Sequence, residues 1–405
     1  MNDASPRPPD AHGPAPSGVL ITVLAVATGA LVANLYYAQP LVRSIGPAIG
    51  IDPALAGSVV SVTQIGYGVG LFFLVSLADL VENKRLVLTL LAFTTLGLLG
   101  VGLATGGAVF FAASATVGIC SVGAQILLPF TAHLVPEAHR GRVVGNVMAG
   151  VLTGIMLARP LSLFIASVLG WRAVFLLSAG LMVVIAASLA AMMPRHKPPG
   201  GMNYGEVIVS MARLARERPV VLWRAAYQAL MFAAFNLFWT AAPVMLADRF
   251  GLNERAVALF ALAGAGGAFA APFAGRLADR GLGTTATATA MVLLGVCFAA
   301  TIPATQAGLL VILAVLAVII DAAVQTNQVV SQRTIYAVPS EIRGRVNAVY
   351  MTISFLGGAL GSMLSTLTYH RGGWTLTALA GALIGAANLA LLAAELTSQR
   401  RNGHA

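Results

Sequence analysis

Residues 309–333 read LLVILAVLAVIIDAAVQTNQVVSQR, a run of 25 residues with a single acid, Asp321, near its centre. A helix crosses the hydrocarbon core of a bilayer with about 20 apolar residues. The run therefore reads as a membrane-spanning helix. Asp321, Gln325, Gln328 and Gln332 recur at i, i+4, i+7 and i+11, one stripe of a helical surface. Of the chain's 14 carboxylates, no other is expected in mid-span. A carboxylate at bilayer depth costs about 2.5–3.5 kcal/mol on insertion scales, so it is expected to face a polar interior and to serve a function.

The rest of the chain has the same character. Of its 405 residues 58% are hydrophobic and only 9% charged, against about 25% charged in soluble domains. Such a chain cannot cover a globule with polar surface. Twelve apolar runs are visible, at 19–42, 55–78, 86–105, 108–132, 143–168, 171–193, 220–246, 255–277, 285–304, 307–332, 345–368 and 372–395. None shows the alternation that a membrane strand requires, and helices satisfy their own backbone in lipid. The expected fold is an all-α membrane protein of twelve transmembrane helices.

Charge follows topology. With the N-terminus inside, eighteen of the 24 basic residues, among them Arg7, Arg140, Arg142, Arg224 and Arg345, fall on the cytoplasmic side. Five fall outside: Arg43, Arg172, Arg249, Arg255 and Arg371. Arg159 alone is assigned to a span. The positive-inside rule then puts both termini in the cytoplasm. The net charge of +10 thus reports membrane orientation and gives no reason to expect nucleic acid. Cys120 and Cys297 read as packing residues; no metal-ligand spacing exists, and no cofactor is expected.

The chain repeats itself with an offset near 202 residues. Asn34-Leu35-Tyr36-Tyr37 recurs as Asn236-Leu237-Phe238-Trp239, Asp79 as Asp279, Gln125 as Gln328, Arg140-Gly141-Arg142-Val143 as Arg343-Gly344-Arg345-Val346, and Trp171 as Trp374. Six spans per half make two parallel, pseudo-symmetric six-helix bundles. The expected layout is a disordered cytoplasmic tail at 1–17, bundles at 18–193 and 220–396, a cytoplasmic linker at 194–219 and a tail at 397–405. Pro194, Pro198, Pro199, Gly200 and Gly201 open the linker. Val207, Ile208, Met211 and Leu214 then fall opposite Arg213, Arg216 and Arg218, the pattern of an amphipathic helix lying on an anionic leaflet.

Twelve spans, a six-plus-six repeat and a basic central loop resemble the major facilitator superfamily. That family carries G-x-x-x-D-R-x-G-R-R between its second and third spans, with a weaker copy between the eighth and ninth. Here Val75-Ser76-Leu77-Ala78-Asp79-Leu80-Val81-Glu82-Asn83-Lys84-Arg85 keeps Asp79, Lys84 and Arg85. The second copy, starting at Gly275, keeps Gly275, Asp279 and Arg280. Asn34 to Pro40 and Gly170 to Phe175 are similar to the bacterial sugar-efflux and drug:proton antiporter branch. The glycine ladder of that branch's fifth span stands here as Gly145, Gly154 and Ala158, with Arg159 where proline is expected. The resemblance implies export of small amphipathic organic molecules from the bacterial inner membrane, driven by protons. Asp79 and Asp279, at helix ends among basic side chains, suit a latch between the halves.

Polar residues in lipid-bathed helices should point inward. Ser114, Gly118, Ser121 and Gln125 on the fourth span match the stripe of the tenth, so both are expected to line a central cavity. Asn34, Tyr37, Ser61, Gln64, Gln228, Asn236 and Trp239 join them as candidate substrate contacts, since rings and amides together suit an amphipathic ligand. Arg159 and Asp321 lie about 25 Å and about 18 Å from their cytoplasmic helix ends at ~1.5 Å per residue. They are therefore expected to interact directly or through water, and to carry proton coupling. Burial and a neighbouring guanidinium pull a carboxyl's proton affinity in opposite directions.

Other readings remain open at this point. The same spans could serve a proton-coupled importer of a sugar or organic acid, or a non-transporting sensor. An intramembrane enzyme is disfavoured, because no nucleophile–base pair or paired acid accompanies Asp321. Protons, a small-molecule substrate and the lipid bilayer are the expected partners, and a monomer suffices for a carrier with its own pathway.

Overall fold

The computed structural model describes residues 17–197 and 203–402, and every described element is helical. Of the expected tails and linker, residues 1–16, 198–202 and 403–405 lie outside the described residues. Among the described residues, nine helices are long and apolar enough to cross a membrane. Three further crossings come from segments that this count misses or merges. Gly18–Ala33 is a short apolar helix of 16 residues, begun by Ser17, whose hydroxyl accepts from the Leu20 amide. Glu254–Gly264 and Ala270–Asp279 make one broken crossing, joined by the tight 3-10 turn Ala265–Phe269. Ser340–Asn402 is two helices that meet at Gly372 and Gly373, where φ of +60° at Gly373 suits a residue without a side chain. Counted so, the described residues make twelve crossings.

Four expected spans are not continuous α-helices, the second passing after Phe73 into the 3-10 segment Val75–Asp79. The first bends after Ala33 through turns at 34–38 into Gln39–Leu41 and Val42–Ala48; Pro40 lacks the N–H that a continuing helix would use. The fourth is interrupted between Gly107–Cys120 and Gly123–His133. The eighth breaks at Gly264-Ala265-Gly266-Gly267, where backbone freedom is greatest and propensity lowest. Hydropathy reports apolar length and is blind to such breaks.

Close backbone crossings order each half. Gly150 and Gly154 of the fifth span press on Ala25 and Gly29 of the first, leaving no room for a Cβ. Gly357 and Gly361 of the eleventh span press in the same way on Ala229 and Ala233 of the seventh. Gly154 and Gly357 stand at the repeat offset, so pseudo-symmetry extends to the crossings. Gly145, expected in the ladder, meets nothing within 4 Å.

The linker helix Tyr204–Glu217 starts in a reciprocal cap between Asn203 and Glu206, the arrangement that satisfies two orphan N–H groups at once. Its apolar stripe does not face a leaflet, as the sequence suggested. Val207 and Met211 are buried against protein, and Met211 lies in a cluster with Val221, Ile335, Val349 and Tyr350, against which Ile208 and Leu214 pack. Tyr204 donates to the Phe73 carbonyl at 3.0 Å and Ser76 meets the Met211 sulfur at 3.2 Å. Burying each such side chain is worth about 1.5–3 kcal/mol, enough to hold the linker on the ends of the second, seventh and eleventh spans.

Candidate functional site

The tenth span, Leu310–Ile335, carries Asp321 into the protein interior, where it is 6% exposed. Two neighbours make this position. The eighth span breaks beside it: Gly267 sits against the Asp321 Cβ with no space for a side chain of its own, and Gly264 sits likewise against the Trp239 ring. These two glycines let Trp239 of the seventh span reach Asp321, and its indole N–H donates to the carboxylate at 2.8 Å. In the first half the position equivalent to Asp321 is Gly118, which lies against the Thr63 backbone. The acid thus occupies a tight crossing whose counterpart holds no side chain.

Arg159, 4% exposed, enters from the other half. Its guanidinium lies over three rings: Phe235 at 4.6 Å, Trp239 at 4.9 Å and Tyr36 at 5.1 Å. Each such contact is worth about 0.5–2 kcal/mol, more where water is excluded. Its Nε donates to Gln39 Oε1 at 2.9 Å. No ion pair within 4.0 Å joins Arg159 to Asp321 among the described residues. They remain electrostatic neighbours, and Trp239 touches both, offering its ring face to the cation and its N–H to the anion.

Gln39 extends the network across the halves. It donates to Asn236 Oδ1 at 2.9 Å and to Thr240 at 3.4 Å. Gln64 of the second span donates to the same Asn236 oxygen at 2.6 Å, and Ser61 donates to the Ala359 carbonyl at 2.7 Å. Gln64, Ser61, Asn236 and Trp239, expected to line a cavity, here form the seal between the halves. The reason is the bend at 34–38, which turns Tyr36 and Gln39 onto the seventh span.

The other expected cavity residues divide. Asn34 turns away from the interface: it accepts from Ser178 at 2.7 Å and contacts Met182, both on the sixth span. Tyr37 also lies by Ser178, so repeat partners Asn34 and Asn236 have parted in role. Ser121 is fully buried, and Gln125 donates to the Tyr67 hydroxyl at 3.3 Å. Gln228 accepts from Asn327 at 2.7 Å inside the second half. Gln325 and Gln328 are half-buried on the Asp321 face of the tenth span.

Several residues escaped the sequence reading. Gln39, Tyr36, Phe235, Thr240 and Asn327 were not singled out, although the polar Gln39 and Asn327 inside apolar runs were a signal. So was the Gly264–Gly267 cluster. Arg224, assigned to the loop side, is 8% exposed within the seventh span, and Glu395 of the twelfth is 2% exposed. Asp321 is therefore not the lone buried acid.

The repeated loop motif behaves asymmetrically. Asp79 has Arg345 of the eleventh span as its electrostatic neighbour across the halves, and Arg345 donates to Ser210 of the linker helix at 2.9 Å. Asp279 instead pairs with Arg333 of its own half, beside Gly275. Arg85 is taken by Glu82 at 3.2 Å, Arg280 is exposed, and Lys84 is half-buried at the start of the third span. These three do not join the halves in this conformation. On the opposite face Arg43 pairs with Asp248 at 2.8 Å and Ser44 meets Glu254 at 3.3 Å, closing that end.

No group of three or more His, Cys, Asp or Glu that could hold a metal exists among the described residues. Twelve crossings, two related halves and a buried charge network between them define a membrane carrier by architecture. The family model of the Major Facilitator Superfamily matches residues 19–335, and the chain belongs to that superfamily. It is 36% identical over 374 residues to the uncharacterized transporter YgaY of Escherichia coli, covering 92% of this chain and 94% of that one. It is 27% identical over 264 residues to a chloramphenicol resistance protein of Streptomyces lividans, covering 64% and 66% of the two chains. Among solved structures, a bacterial homolog of the human lysosomal transporter Spinster, inward-facing and occupied, matches with a TM-score of 0.69 at 14% identity, covering 94% of this chain and 96% of that one. The protein is thus a multi-pass membrane transporter and not an enzyme.

Proposed function

We propose that this transporter exports small amphipathic organic molecules from the bacterial inner membrane by alternating access, in exchange for protons carried on Asp321. The observation that supports this most is the bridge Arg159–Trp239–Asp321. A cation from one half and an anion from the other meet on one indole, at the surface where the halves must separate. Protonation of Asp321 removes the anionic end of that bridge, and rocking of the halves then releases Trp239 and Phe235 from Arg159. Ring faces and amides freed in this way, with Gln325 and Gln328 beside them, suit an amphipathic ligand. Similarity to a chloramphenicol resistance protein supports a drug-type cargo. The excess of basic residues on one side supports cytoplasmic termini. A single chain contains the whole bridge, so a monomer suffices.

The experiment is flux in proteoliposomes with an imposed pH gradient. Wild-type protein should move substrate against its gradient while protons move the other way. Asp321→Asn should lose the pH-driven component and keep downhill exchange. Undiminished pH-driven flux in that variant would overturn the proton role.

A further inference from the structure

A second buried cation stands in the seventh span, about 22 Å from Trp239 along the helix at ~1.5 Å per residue. Arg224 is 8% exposed, and its Nε and Nη1 have no hydrogen-bond partner. Its guanidinium lies over the Tyr227 ring at 5.7 Å. The buried carboxylate nearest by connection, Glu395, does not neutralise it. One Glu395 oxygen takes the Tyr227 hydroxyl and the other takes Gln399, and no ion pair forms with Arg224. The other buried carboxylate, Asp321, belongs to Trp239.

Two more donors converge on the same place. Tyr350 of the eleventh span is fully buried, senses Arg224 electrostatically and faces Ser331 of the tenth span. The Tyr350 and Ser331 hydroxyls meet each other, and neither has a further hydrogen-bond partner. Val221 and Ala225, flanking Arg224 on its helix, pack in one cluster with Tyr350. Three helices therefore bring a guanidinium with two unmatched nitrogens, and a pair of hydroxyls matched only to each other, to one buried locus. An unmet buried donor is costly, and an unmet buried charge more so. The charged N–H donors of arginine suit the oxygens of a carboxylate or phosphate.

We propose that Arg224, Tyr350 and Ser331 form an oxyanion-binding site in the second half, for the carboxylate or phosphate of a small solute or of a lipid headgroup. The site is separate from the Asp321 bridge and does not depend on proton coupling there.

The test uses full-length protein in a neutral detergent, with its melting temperature followed as sodium sulfate replaces sodium chloride at constant ionic strength. A saturable rise is expected for wild type. It should vanish in Arg224→Met, and fall by at least tenfold in apparent affinity in Arg224→Lys and Tyr350→Phe, which keep charge or shape if the methionine variant folds poorly. General salting-out would persist in all variants, and an equal rise in Arg224→Lys, Tyr350→Phe and wild type overturns the proposal, as does no rise at all. Repeating the titration in nanodiscs separates the two sources. Loss of the sulfate response on adding phosphatidylglycerol to phosphatidylcholine identifies a headgroup, and an unchanged response identifies a free solute.

Discussion

Trp239 donates its indole N–H to Asp321 at 2.8 Å while Arg159, from the other half, lies over the same ring at 4.9 Å. An aromatic residue between a cation and an anion keeps both charges attached to one rigid group without closing them into a salt bridge. Replacing Trp239 by phenylalanine keeps the ring and deletes the donor. A hydrogen bond to a charged group is worth about 1.5–3 kcal/mol, so pH-driven flux in Trp239→Phe should fall about tenfold or more in a liposome assay. Downhill exchange of substrate should change far less.

The two charges of the bridge should be energetically coupled. Removing one partner of a buried pair costs about 3–5 kcal/mol because the other is left uncompensated. Arg159→Ala should therefore lower the melting temperature of the purified protein strongly. Adding Asp321→Asn to it should restore part of the loss. Strictly additive losses in the double variant would show that the two sites do not sense each other.

Glycine positions separate by what faces them. Gly267→Ala drives a methyl into Asp321 and the tenth-span backbone, and Gly154→Ala drives one into Gly29. Overpacking of this kind costs about 1–3 kcal/mol. Gly266→Ala meets only the Val318 side chain at 3.8 Å, and Gly145→Ala meets nothing within 4 Å. Thermal unfolding should rank the first two well below wild type and the second two close to it.

The two copies of the loop motif should not be equivalent. Asp79→Asn loosens a contact between the halves, because Arg345 lies across the interface. Asp279→Asn only frees Arg333 within one half. Labelling of a cysteine introduced at Gln325 should accelerate several-fold in the Asp79 variant and remain near wild type in the Asp279 variant.

The ion pair of Arg43 and Asp248 on the opposite face is exposed, with side chains 58% and 42% accessible. Exposed pairs contribute about 0–1 kcal/mol. Asp248→Asn should therefore leave the melting temperature nearly unchanged. Its effect should appear in transport rate, as an easier opening of that face, and should shrink as salt is raised.

The chain's solvent, its twelve crossings, its internal repeat and the placing of Asp321 and Arg159 inside spans could all be read from residue order. Lipid imposes this legibility: a crossing needs about 20 apolar residues in sequence, and a charge inside one stands out. Hydropathy is a property of neighbours along the chain, so no tertiary information was needed. Only the folded structure decided that Trp239 would mediate between those charges, that Asn34 would turn away where Asn236 turned in, and that the linker helix would spend its apolar stripe on protein. The burial of Arg224 and Glu395 was equally hidden. Each depends on which helices cross and how closely, and those crossings are set by side chains that are missing at Gly264, Gly267, Gly154 and Gly357 and that bring together groups 80 to 200 residues apart.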